Sequence, residues 1–228
     1  MKKRCCEKLK KLFYHPKSFF SEVEKEKSYS EIIFFYVKIS LIAIILEFIF
    51  SLTAIIIRNT ADLGTATSIV YLVLNSILSL GFAFALPFVY TAIVHLGILI
   101  FRGKQGFFNT YKPVTYAATI GIVYNLITII IAGFVGIINS PDIQNLASMT
   151  PEMLWQNTGF STLMIIYGII MIFSLIHMLY AGIISISKFQ KMSKLKAFFS
   201  IILIPLIIMI LAMIILTIFA YYYYPLSV

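Results

Sequence analysis

The chain has 228 residues, of which 61% are hydrophobic and only 12% charged, with a formal net charge of +9. That charged fraction is about half the soluble average, which excludes an ordinary water-soluble domain. Five apolar stretches of at least 25 residues also exclude a β-barrel, whose segments are about ten residues long and alternate in polarity.

In chain order, the first 31 residues are basic, carrying Lys2, Lys3, Arg4, Lys8, Lys10, Lys11, Lys17, Lys25 and Lys27. Within them Cys5, Leu9, Leu12 and Phe13 fall on one helical stripe. This predicts a short amphipathic helix lying on a membrane interface, ended by Pro16. Phe19 and Phe20 form a second anchor. No cleavable signal is expected, because the first apolar run begins only at Ile32 and is too long for an h-region. Cys5 and Cys6 are adjacent and have no metal-type spacing.

The apolar stretches run Ile32 to Ile57, Ile69 to Phe101, Pro113 to Ile138, Thr162 to Ser187 and Phe198 to Tyr222. Each exceeds the roughly 20 helical residues that cross a hydrocarbon core. With no water to satisfy the backbone, helices are the spanning structure. The predicted fold is therefore all-α, a polytopic membrane protein. It has a basic amphipathic segment at 1–31 and a five-helix transmembrane bundle at 32–228. Pro87 is expected to bend the second span and Pro205 the fifth.

Basic residues orient the bundle. Arg102, Lys104 and Lys112 lie between spans two and three, and Lys188, Lys191, Lys194 and Lys196 between spans four and five. The other two connections hold Arg58 with Asp62, and Asp142 with Glu152. The N-terminus is thus expected in the cytoplasm and the C-terminus outside. Between Asn139 and Ser161, Ser140-Pro141 and Thr150-Pro151 read as helix starts, with Leu154 and Trp155 in the outer headgroups. Tyr221 to Tyr224 read as an aromatic belt. The +9 charge is a topology signal and an attraction to anionic lipid, not a nucleic-acid footprint.

Ionisable groups inside a membrane mark candidate sites. Glu47, Asn125 and His177 fall at comparable depth, with His95 nearer the cytoplasmic end. They form a candidate polar cluster, suited either to relaying a proton or cation or to joining helices. Small residues four apart mark packing faces at Gly81/Ala85, Ala117/Gly121, Ala132/Gly136 and Ala181/Ser185. Such faces suit contacts within the bundle, with a second copy or with another membrane protein. The loop bearing Arg102, Gly103, Lys104, Gly106, Phe107 and Phe108 lacks the frame of a P-loop and reads as a tight turn with aromatic anchors. No catalytic, metal or cofactor signature is present, so neither an enzyme nor a cofactor is expected.

Three strings carry a family likeness: His15-Pro16-Lys17-Ser18-Phe19-Phe20; His95 followed by Arg102-Gly103-Lys104-Gln105-Gly106-Phe107-Phe108; and Tyr116-Ala117-Ala118. With the five-span spacing, the chain resembles the Yip1 family of small multispan membrane proteins. In that loop, Arg102 stands where a second glycine is common. The resemblance implies a non-enzymatic protein acting through lipid or protein contacts, with trafficking-like roles and Rab-type GTPase partners among eukaryotic relatives. Its Ile- and Lys-rich usage points to a prokaryotic member. The expected location is the cell membrane in a prokaryote, or the ER and Golgi in a eukaryote. The rival reading is a small transporter or an ion or proton pathway through Glu47 and His177.

Overall fold

The structure, a computed structural model, describes residues 2–58, 63–138 and 158–223. These form α1 (Lys2–Tyr14), α2 (Pro16–Glu22), a 3₁₀ turn (Val23–Lys25), α3 (Tyr29–Arg58), α4 (Leu63–Ile100), α5 (Phe108–Ile138), α6 (Thr158–Phe189) and α7 (Lys194–Tyr223). No strand occurs among the described residues. The expected helix starts at Ser140 and Thr150, and the residues Asp62, Leu154, Trp155 and Tyr224, lie outside them.

Five of the helices, α3 to α7, are long and apolar enough to cross a membrane. They form a ring in the order α3, α4, α7, α6, α5, with α4 also touching α5 across it. The face that carries α1 and α2 is called the near face below, and its opposite the far face. Pro87 and Pro205 both lie inside continuous helices. Helix α5 starts at Phe108, five residues before the third apolar stretch begins at Pro113. The added turn is held by burial: Tyr111 and Lys112 in it are 0% and 1% exposed.

The densest core lies at the near face. There Leu12, Phe19, Phe20 and Val23 of the N-terminal segment pack with Ile32, Phe35, Tyr111, Tyr116, Ile120 and Phe189. The 31 residues of α5 extend about 46 Å at 1.5 Å per residue, against a hydrocarbon core of about 30 Å. The near end therefore has room to stand out of the bilayer and receive α1 and α2. This corrects the expected interfacial helix: the stripe of α1 faces protein, with Leu12 fully buried. Elsewhere the outer surfaces are apolar and exposed, as in Leu206, Ile210, Met213 and Leu216 of α7. Hydrocarbon chains are as apolar as these side chains, so such surfaces need no protein cover.

Candidate functional site

Two polar regions stand out, one at each end of the bundle. The near-face region is built around Lys112, which α5 carries into the core. Its ammonium has three N–H donors, and they meet the carbonyls of Val23 at 3.1 Å, of Glu24 at 3.0 Å and of Glu26. These carbonyls end the α2 and 3₁₀ segment, where the backbone's partial negative charge collects. The rings of Phe108 and Phe189 lie 4.9 and 5.1 Å from the same nitrogen. Lys112 is thus a cationic cap on a helix end that belongs to another part of the chain.

A second clamp stands beside it. Lys8 Nζ lies 2.6 Å from Glu26 Oε1 and donates to Tyr116 Oη at 2.6 Å. The Tyr116 hydroxyl in turn donates to Glu26 Oε2 at 2.6 Å. Further out, Lys11 pairs with Glu22, and Lys188 with Glu24 at 3.2 Å. At the end of α1 the Phe13 ring meets His177 edge-on at 4.6 Å and Tyr124 at 5.4 Å.

Gln190 orders the loop between α4 and α5. Its Nε2 donates to the Gly106 carbonyl at 3.1 Å and to Thr110 Oγ1 at 2.9 Å, while its Oε1 accepts from the Gln105 amide at 3.2 Å. His95 Nδ1 lies 2.7 Å from the same Thr110 hydroxyl. Helix α4 closes with Arg102 N–H donating to Leu99 and Gly103 N–H to Ile98, a Schellman motif that places Arg102 at φ 62°. Lys191 takes the same place at the end of α6, at φ 50°. A Cβ on Gly103 would fall 2.3 Å from Ile98 Cγ2, so this glycine serves packing rather than phosphate binding. Phe107 and Phe108 are half-buried against the core. Arg102 and Lys104 are exposed.

The left-handed position of Arg102 leads to a simple expectation. Arg102→Gly removes a Cβ that disfavours φ 62° by about 1 kcal/mol. The thermal midpoint of the purified protein should rise by a few degrees, as a melt followed by circular dichroism will read.

At the far end, Glu47 and Asn125 line one cavity of about 420 Å³ between α3 and α5. The expected meeting of Glu47 and Asn125 with His177 is not formed: His177 Nδ1 lies 3.3 Å from Tyr124 Oη and beside Phe13. Helix α5 packs on α3 by one side and on α6 by another, so it stands between Glu47 and His177. His95, in the last turns of α4, bonds Thr110 of α5 at the near face. The four residues therefore divide among three places, and Glu47 with Asn125 is the pair that shares a cavity. Lys8, Glu26, Tyr116 and Gln190 were not anticipated as a network, and Lys112 was read only as an orienting charge. A charged residue in sequence announces its sign but not its partner.

The family model for the Yip1 domain matches residues 10–216. No curated protein and no solved structure matches the chain. The match begins inside α1 and ends inside α7, so it takes in most of the N-terminal segment with all five spans. The chain belongs to the Yip1 family.

Proposed function

We propose that this integral membrane protein is not an enzyme and works by contact, presenting a fixed basic surface at its near face to anionic lipid headgroups or to an acidic protein partner. In this reading the near face and the N-terminus lie in the cytoplasm, as the distribution of basic residues requires. The observation that carries it is the division of the near-face cations into two sets. Lys8, Lys11, Lys112 and Lys188 are engaged with carboxylates or carbonyls inside the fold. Arg102, Lys104 and Lys191, in connections held together through Gln190, and Lys194 and Lys196, in the first turn of α7, are exposed, as are Lys10, Lys17, Lys25 and Lys27 of the N-terminal segment. The first set builds the platform, and the second is left for a ligand.

Each such cation near an anionic surface contributes about 1 kcal/mol. Changing Arg102, Lys104, Lys191, Lys194 and Lys196 together to Gln should reduce the enrichment of phosphatidylglycerol over phosphatidylcholine around the reconstituted protein by about tenfold or more. Native mass spectrometry of lipid retained from mixed nanodiscs measures this. Equal enrichment in the two proteins refutes lipid recognition by this surface. Orientation has its own test: a maleimide that cannot cross membranes should label Lys104→Cys from the cytoplasmic side only.

A further inference from the structure

The far half of the bundle holds a vestibule that the basic-face reading does not use. Two cavities, of about 420 and 570 Å³, share the Glu47, Ser51 and Ala54 face of α3. The first extends to Asn125 and Thr128 of α5, the second to Thr67, Tyr71 and Asn75 of α4. Glu47 is eleven residues from the Arg58 end of α3, so the pocket reaches about 16 Å down from that end. On the near side, Tyr36, Val37 and Ala83 pack with Leu80, Ala118 and Ile122 across the same three helices. That apolar floor makes the vestibule a dead end, suited to holding a ligand rather than passing one.

Its lining has an unfilled demand. Among the described residues, Glu47, Ser51, Asn75 and Asn125 have no hydrogen-bond or ion-pair partner, and Glu47 is the one acidic residue of the far half. Polar groups at membrane depth are costly unless they are solvated or bound. The acid calls for a cation, while the hydroxyl and the amide oxygens call for N–H or O–H donors. A bare metal ion fits poorly. Ca²⁺ takes six to eight oxygens at about 2.3–2.6 Å, and no group of three His, Cys, Asp or Glu exists among the described residues. The volumes are those of small-molecule pockets, typically about 300–1,000 Å³. A quaternary ammonium prefers a cage of aromatic faces, whereas each cavity here has a single aromatic ring, Phe50 in one and Tyr71 in the other, and its polar groups are carboxylate, hydroxyl and amide.

We propose that the far-face vestibule binds a primary ammonium group, ion-paired to Glu47 and donating to Ser51 and Asn125. The ammonium belongs either to an aminophospholipid headgroup or to a soluble amine. The proposal does not depend on the reading of the near face.

The test uses the full chain in nanodiscs. In one arm, with phosphatidylcholine alone, putrescine is titrated and the thermal midpoint followed. In the other, discs of phosphatidylcholine and phosphatidylethanolamine are dissociated in a mass spectrometer and the retained lipids counted. A midpoint that rises with putrescine, or selective retention of phosphatidylethanolamine, supports the proposal if Glu47→Gln weakens it about tenfold or more. The first result identifies a soluble ligand and the second a headgroup. Asn125→Leu, which fills the pocket from α5, should give the same loss and decides the matter if the Glu47 variant does not fold. The proposal fails if neither arm responds, if both variants respond as the wild type does, or if Ca²⁺ or Na⁺ alone gives the Glu47-dependent rise.

Discussion

Lys112→Met should free the N-terminal hairpin from the bundle while leaving the five spans inserted. The backbone carbonyls of Val23, Glu24 and Glu26 lose the donor that ties them to α5, a side chain only 1% exposed, and Val23 alone keeps another, the Glu26 N–H. Hydrogen bonds to a charged group contribute about 1.5–3 kcal/mol each, and a buried acceptor left alone costs about 1–3 kcal/mol. Taking a net of about 3 kcal/mol, amide exchange across residues 5–27 should quicken about a hundredfold. Lys8→Met should do less, about 1 kcal/mol, because the Lys8 and Glu26 side chains are 25% and 19% exposed and their pairing is partly screened. Lys112→Arg is the sharper comparison. A planar guanidinium cannot aim three donors at converging carbonyls between two aromatic faces, so it should restore only part of the protection. Unchanged exchange in Lys112→Met would show that apolar packing of Phe19 and Phe20 alone holds the hairpin. Release should also strip Phe13 from His177 and Tyr124 and scatter the basic surface.

The five spans were legible because a run of more than 20 apolar residues has few other uses in a chain this short. The fate of the α1 stripe was not, because Cys5, Leu9, Leu12 and Phe13 present the same pattern to lipid as to protein. What decides between them is whether the near ends of α3, α5 and α6 stand close enough together to receive α1, and that depends on tertiary packing. Depth was legible for Glu47, Asn125 and His177, since it follows from counting residues along a helix. Azimuth was not: α5 turns Asn125 toward α3 and Tyr124 toward α6, one position apart on the helix. The same limit applies to small residues. Ala181 and Ser185 are fully buried and Gly121 faces Met178, yet Gly81 has nothing within 4 Å of where a Cβ would stand and Ala85 is exposed. Spacing four apart reveals a smooth strip of helix but not whether a neighbour lies on it. Among the described glycines, the one whose Cβ would strike the backbone of another helix has no small residue four positions away, and so escaped that search.

That glycine is Gly97, and Gly97→Leu should separate α7 from α4. A Cβ at Gly97 would stand 2.9 Å from Ser200 Cα, 3.0 Å from the Ser200 carbonyl oxygen and 3.0 Å from Ile204 Cγ1. Two of the three atoms are backbone, so no rotamer change relieves the contact; the helices must move apart. Around it, Val94 and Ile98 of α4 pack with Ala197 and Ile201 of α7, and this packing would open with them. Ser200 already turns its hydroxyl to the Lys196 carbonyl of its own helix at 2.9 Å, which leaves its Cα as the approaching surface. Overpacking of this kind costs about 1–3 kcal/mol, and Gly97→Ala should fall in that range with Leu beyond it. In detergent the midpoint of thermal unfolding should fall accordingly, and proteolysis should cut the short α6–α7 connection sooner. Gly81→Leu is the control, since its Cβ meets open space and the midpoint should hold. Ser200→Gly should not rescue Gly97→Leu, because the atoms struck belong to the main chain. Rescue by that change, or equal midpoints for Gly97→Leu and wild type, would mean that α4 and α7 do not meet backbone to backbone at this point.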